Sequence, residues 1–172
     1  MQHTEKGVEG PGGQLRTLTR ADLQRFIESN RIEAAILPMS DRTPTVEDAA
    51  RALGVDTEAV VKSLLFRVDE EPFLVVNNGL ARVDRRKLAR FFGVGRKRIH
   101  FASPEEAHRV TGYVVGSMPP FGHLRKLRTL VDPAVARLEV VYGGGGSIDA
   151  MMRVATPVLL AVTEAERVPL SG

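Results

Sequence analysis

Two apolar runs on either side of an acidic turn place the tightest constraint on how this chain folds. Val61 to Val68 is mostly β-branched or apolar, Asp69-Glu70-Glu71-Pro72 interrupts it, and Phe73 to Val76 is apolar again. Such runs are strand-sized and the break carries turn chemistry, so the pair reads as an antiparallel hairpin closed by Asn77-Asn78-Gly79. The elements around it are short and individually capped. Thr19 and Asp22 form a capping-box-like start, Leu18 and Leu23 a hydrophobic staple, and Leu23, Phe26 and Ile27 one helical stripe. Ala34 to Leu37 reads as a strand, Pro38 to Pro44 as a loop, and Thr45 with Asp48 as the cap of a helix that Gly54 ends.

Further on, Asp56 starts a short helical turn, Asp84 caps a helix carrying Leu88, Phe91 and Phe92, and Arg98 to Ala102 is a short strand. Ser103-Pro104-Glu105-Glu106 opens a helix that ends at Gly112. Leu127 to Val131, Leu138 to Tyr142 and Ile148 to Val154 are strand candidates, and Thr156-Pro157 opens a last helix through Val162. Short strands mixed with short helices predict an α+β single domain: a mixed, largely antiparallel sheet with flanking short helices, not a doubly wound parallel one.

The 172 residues suit one domain, and a 43% hydrophobic content is enough for a core. Residues 1–16, with Gly10-Pro11-Gly12-Gly13, read as a flexible leader, leaving 17–172 as the domain. No apolar run approaches the roughly 18 residues of a membrane span, and no signal-peptide h-region is present, so a cytoplasmic protein is expected. Cysteine is absent, which excludes disulfides, a thiolate nucleophile and Cys-ligated zinc. His3, His100 and His108 lack ligand-spaced partners, so neither a metal nor a cofactor is expected.

Lys62 shares a strand face with Leu64 and Phe66. Either its stem lies along apolar surface while the ammonium snorkels out, or the ammonium sits at a pocket rim aimed at phosphate or an oxyanion. The segment Gly112 to Gly122 is too apolar for an ordinary solvated loop. Gly116 permits close backbone approach, while Pro119 and Pro120 stiffen the loop, leaving the remaining N–H groups to be aimed at a ligand; a buried turn is the equal alternative. Gly143-Gly144-Gly145-Gly146 lacks the lysine and helix of a phosphate loop and reads as a flexible hairpin connection. Asp149 is a solvent-facing strand residue or a pocket-edge carboxylate, and His123 a loop-surface residue or a substrate contact. Arg82 to Arg90, Arg96-Lys97-Arg98 and Arg125 to Arg128 are basic clusters; a solvated helix face explains the first adequately, and together they would follow phosphates if they surround one pocket mouth.

Val60-Val61-Lys62-Ser63-Leu64-Leu65, then Gly112-Tyr113, Gly116 and Pro120-Phe121-Gly122, then the glycine turn leading to Asp149, occur in an order and at separations resembling the YbaK/prolyl-tRNA synthetase editing-domain family. The resemblance runs from about Ile32 to Val162 and includes Thr45-Val46-Glu47-Asp48-Ala49-Ala50. It implies an aminoacyl-tRNA deacylase that clears alanine- or cysteine-type mischarging of proline tRNA, or a related species. The family's essential lysine matches Lys62, its Gly-x-x-x-Pro loop Gly116 to Pro120, and its later glycine turn Gly143, Gly144 and Asp149. Where several relatives carry a serine before that turn, this chain has Tyr142.

An aminoacyl ester is already activated, so its hydrolysis needs orientation and oxyanion stabilisation more than a strong nucleophile. The expected catalytic set is Lys62 with the N–H groups of Gly116 and Ser117. The substrate-binding set is Met118, Pro119, Pro120, Gly143, Gly144, Asp149, Thr45, Tyr142 and His123, with Ile36 and Met39 as further pocket-lining candidates. The expected partners are the acceptor end of mischarged tRNA and an aminoacyl-tRNA synthetase, with no membrane and a monomer by default. The competing readings are a non-catalytic tRNA-binding or synthetase-associated module of the same fold, and a hydrolase of small esters.

Overall fold

The computed structural model of the protein describes residues 16–40 and 45–172. The expected leader, Arg16 apart, and the Asp41 to Pro44 part of the first loop lie outside them. Helix α1 (Arg20–Ser29) starts at the expected box, where the Thr19 N–H donates to the Asp22 carboxylate at 2.8 Å, and it buries Leu23 and Ile27. Strand β1 (Ala34–Pro38) and helix α2 (Val46–Leu53) follow, the latter capped by the Thr45 hydroxyl. After a 3₁₀ turn at Thr57–Ala59 comes the hairpin of β2 (Val61–Val68) and β3 (Glu71–Asn78), then α3 (Arg85–Phe92), the 3₁₀ turn Arg96–Arg98 and β4 (Ile99–Phe101). Helix α4 (Pro104–Thr111), β5 (Arg128–Val131), α5 (Pro133–Ala136), β6 (Val140–Gly144), β7 (Ala150–Ala155), α6 (Thr156–Thr163) and β8 (Glu166–Arg167) complete the chain.

The architecture is α+β and mixed, with most pairings antiparallel, but the strands divide into two sheets. One has the order β4-β2-β3-β5-β8 and the other β1-β7-β6. Antiparallel hairpin pairing matches Lys62 with Asn77 and Leu65 with Leu74, while β5 joins β3 in parallel and β8 joins β5 in parallel. A single parallel bridge from Val60 to Tyr142 links the sheets. Both faces of β2 are covered: Val61 and Leu65 face the main core with Met118, Val141 and Met152, and Phe66 faces a second core with Phe73, Leu88 and Leu170. Glu71 and Pro72, read as turn, lie inside β3, and on α3 Leu88 is buried while Phe91 is exposed.

Three features went unannounced by sequence pattern. α5 and β8 are four and two residues long, too short to give a period. The segment after β8 is tied down by the buried Asp132 carboxylate, which accepts from the N–H groups of Ala134, Leu170 and Ser171 and from the Ser171 hydroxyl. Burial pushes that carboxyl up, yet these donors outweigh it and hold it below the usual carboxylate value.

The tetraglycine is a packed crossing, not a flexible connection. Gly143, Gly145 and Gly146 are buried, and a β-carbon on Gly144 would lie 2.2 Å from the Met118 carbonyl oxygen. One on Gly145 would strike the Ala150 backbone, and Gly146, at φ +90°, sits against the backbone of Arg20. Main chain thus crosses main chain, and Gly146 N–H donates to the Ser117 carbonyl at 2.9 Å. Replacing Gly144 with alanine is therefore expected to cost about 1–3 kcal/mol, as overpacking against backbone that cannot yield. Thermal unfolding checks it: Gly144→Ala melts several degrees lower, whereas Gly95→Ala, with φ −71° and nothing within 4 Å of the added carbon, leaves the midpoint near wild type.

Candidate active site

The recess that matters is built on an open strand edge. On the side away from β3, β2 pairs with β4 only from Phe66 to Val68, and the Ala102 N–H closes this contact onto the Leu65 carbonyl at 3.0 Å. Backbone groups alternate direction along a strand, so the N–H and C=O of Ser63, two residues earlier, point to the same edge beyond the end of β4. A recess of about 50 Å³ lies there, lined by Ser63–Leu65, Phe101, Val115, Gly116 and Met118. Lys62 immediately precedes this lining. It is half-buried, stands opposite Asn77, and pairs with no carboxylate among the described residues.

The Gly-Pro loop packs Tyr113, Met118 and Phe121 into the main core, and its donors are arranged differently from the expectation. Ser117 is fully buried; its N–H and its hydroxyl both donate to the Val114 carbonyl, at 3.1 and 2.8 Å. Ser117 therefore shapes the loop and has no donor left for a ligand. Gly116, at φ +95°, is exposed, and the N–H groups of Gly116 and Met118 have no acceptor among the described residues. The Ser63 N–H, on the open edge of β2, borders the same recess. Strand alternation alone would have pointed to Ser63.

Behind the loop, Tyr113 is fully buried and its hydroxyl donates to the Gly122 carbonyl at 3.1 Å; burial, aided by the Asp22 carboxylate, drives its ionisation far above the ordinary phenol range. His123 is half-buried on the loop. Its Nε2 lies 2.8 Å from the Pro119 carbonyl, which can only accept, so this nitrogen carries the proton and Nδ1 is an acceptor. Burial pushes the imidazole down to about 4, against the opposing pull of that hydrogen bond, so it is neutral at pH 7. His123 and Pro120 face a separate cavity of about 410 Å³ with Phe26, Ile32, Arg125 and Val162.

The remaining sequence candidates divide. Gly143 and Gly144 support the loop from below: a β-carbon on Gly143 would meet both Pro120 and Val61 at 3.6 Å. Tyr142 lies on β6 at the bridge to Val60. Asp149 is in the turn before β7, not on the strand; it is exposed, 3.9 Å from Arg20, and borders neither cavity. Thr45 is engaged in capping α2, and neither Ile36 nor Met39 lines the recess. Of the basic clusters, Arg98 pairs with Asp69, Lys126 with Glu164 and Arg128 with Glu166. Exposed Arg86, Arg90, Arg96 and Lys97 have no carboxylate partner among the described residues.

A pH dependence follows from His123. Its folded-state value lies below the unfolded value of about 6.5, so the unfolded chain takes up the proton first. The stability this neutral group contributes is present above pH 6.5 and is lost as pH falls towards about 4. Denaturant unfolding of wild type and His123→Gln across that window checks it: the difference between them shrinks with acidification, and the His123 ring resonances stay those of neutral imidazole until near pH 4.

Comparison with known proteins gives this geometry its context. Residues 41–162 match the aminoacyl-tRNA editing domain family. YwhH of Bacillus subtilis, itself uncharacterized, is 31% identical over 123 residues, covering 71% of this chain and 76% of that protein. A proline–tRNA ligase of Ligilactobacillus salivarius is 36% identical over 88 residues, covering 51% of this chain and 15% of the ligase. The chain thus spans a small part of the ligase it resembles. A solved structure of a protein proposed to be a trans-editing enzyme for prolyl tRNA synthetase superimposes with a TM-score of 0.83 at 28% identity, over 89% of this chain and 96% of the other. With the fold and the family match in agreement, the chain belongs to the aminoacyl-tRNA editing domain family.

Proposed function

We propose that the protein is a trans-acting deacylase that hydrolyses the ester of a mischarged aminoacyl-tRNA, of alanine or cysteine type on proline tRNA or a related species. The observation that carries this reading is the recess whose lining begins at Ser63, one residue after Lys62, and continues to Gly116 and Met118 of the Gly-Pro loop. The Lys62 ammonium anchors the 3′-terminal nucleotide. Main-chain N–H groups of Gly116, Met118 and Ser63 face the carbonyl oxygen as it becomes an oxyanion. Water, aided by the vicinal ribose hydroxyl, adds to the ester carbon; the carbon–oxygen bond to the ribose then breaks, the ribose oxygen takes the proton, and free amino acid leaves.

Such a mechanism needs no side-chain nucleophile, in keeping with a chain that has no cysteine. Residues 17–172 form the editing unit, acting in the cytoplasm on the tRNA acceptor end and alongside a synthetase; the likeness to proline–tRNA ligases supports that partner class. No helix among the described residues is long and apolar enough to cross a membrane.

The test is deacylation over a panel of mischarged tRNAs. Lys62→Ala is expected to lower the rate by about 10²–10³-fold, the scale of losing one preorganised electrostatic interaction, with an unchanged melting temperature. Full activity in that variant refutes the assignment. Tight tRNA binding without turnover in wild type would instead identify a binding module, and turnover of small esters alone a different hydrolase.

A further inference from the structure

Phe101 is the anomaly of the surface. It is 59% exposed although it lies on a strand, and it forms one lip of the recess, with 58% exposed Val115 on the other. Large apolar groups flanking one opening mark a binding surface more often than chance exposure does. The ring is also held in place: it packs on Phe66 with centroids 5.0 Å apart, and β4 fixes its backbone in register opposite Phe66. Register further places Phe101 on the sheet face that carries Phe66, Leu64 and Lys62. Lys62 and Phe66 are four residues apart on β2, a span of about 13 Å.

Charge indicates what covers this lip. The strand that ends at Phe101 begins at the 3₁₀ turn holding Arg96 and Lys97, and that turn packs against α3 with Arg86 and Arg90. These four cations are exposed and without carboxylate partners among the described residues. β4 rises only about 10 Å from Arg98 to Phe101. An apolar protein surface would gain nothing from unpaired cations beside it, whereas single-stranded RNA needs a π-face for its bases and cations for its phosphates.

We infer that Phe101 is a stacking platform for a base of the unpaired 3′ end of RNA, and that Arg96 and Lys97 hold the phosphates leading to it. The inference rests on the deacylase reading only in placing the terminal nucleotide at Lys62. The base on Phe101 is then not the terminal one but one preceding it. Phe101 is thus a positioning residue that acts on the nucleic acid and not on the ester, and it selects polynucleotide over small esters.

Three probes test this: mischarged tRNA, 2′(3′)-O-aminoacyl-adenosine, and a short fluorescein-labelled single-stranded RNA ending in CCA. Phe101→Ala is expected to lower both kcat/KM on tRNA and affinity for the labelled RNA about tenfold, with Phe101→Trp restoring both. Turnover of aminoacyl-adenosine, which has no preceding base, falls by a much smaller factor than turnover of tRNA. Arg96→Glu combined with Lys97→Glu reduces the slope of log affinity against log salt by about 0.7 for each phosphate no longer neutralised. Wild-type RNA affinity and turnover in Phe101→Ala, or an equal loss on aminoacyl-adenosine, overturns the inference. Should wild type deacylate nothing, the deacylase reading fails while RNA binding still decides: a tryptophan-rescued loss sustains the platform, and no RNA binding by wild type overturns it.

Discussion

The site depends on one contact between two stretches of backbone. Where Met118 passes over Gly144 there is no space for a β-carbon, and the Ser117 carbonyl accepts from Gly146 on the same side. Hydrogen bonding and close packing together fix the height of the Gly-Pro loop above the β6–β7 hairpin, and hence the distance from Gly116 to the edge of β2. Side-chain contacts could adjust by rotamer changes, but backbone against backbone cannot. The geometry beside Lys62 is therefore set by glycines acting through backbone packing.

Polar groups behind the loop act to the same end. The Tyr113 hydroxyl and the His123 ring each satisfy a loop carbonyl, those of Gly122 and Pro119, and burial keeps both side chains uncharged at neutral pH. Two neutral donors behind the loop satisfy its carbonyls without placing a charge there. In front of the loop the free donors are main-chain N–H groups, whose directions are fixed by the strand edge and by the φ of Gly116.

Much of the fold was legible in the sequence because its signals are local. Thr19, Thr45, Asp84 and Ser103 begin helices as their side-chain chemistry requires, and Gly54, Gly93 and Gly112 end them in the left-handed region. The β2–β3 hairpin could be read from its two apolar runs and the acidic turn between them. The parallel joining of β5 to β3, the division into two sheets and the addition of β8 are long-range choices that leave no local period. At the site, Lys62 and the Gly-Pro loop stood out as unusual. The free or engaged state of each N–H did not, because it depends on the turn that Ser117 makes back to Val114. The tetraglycine misled for a related reason: composition cannot distinguish a glycine that lets the chain flex from one that lets another chain segment lie against it.

The position of β8 also bears on how the protein is made. This strand borders the larger sheet and is followed by the segment clasped by Asp132, so the sheet that carries Lys62 is completed by residues far later in the chain. During synthesis the β2–β3 hairpin leaves the ribosome with neither its parallel neighbour β5 nor the Val168 and Leu170 side chains that cover its second face. At roughly 5–20 residues added per second, that apolar surface waits several seconds for its cover, an interval in which nascent-chain chaperones have a binding target.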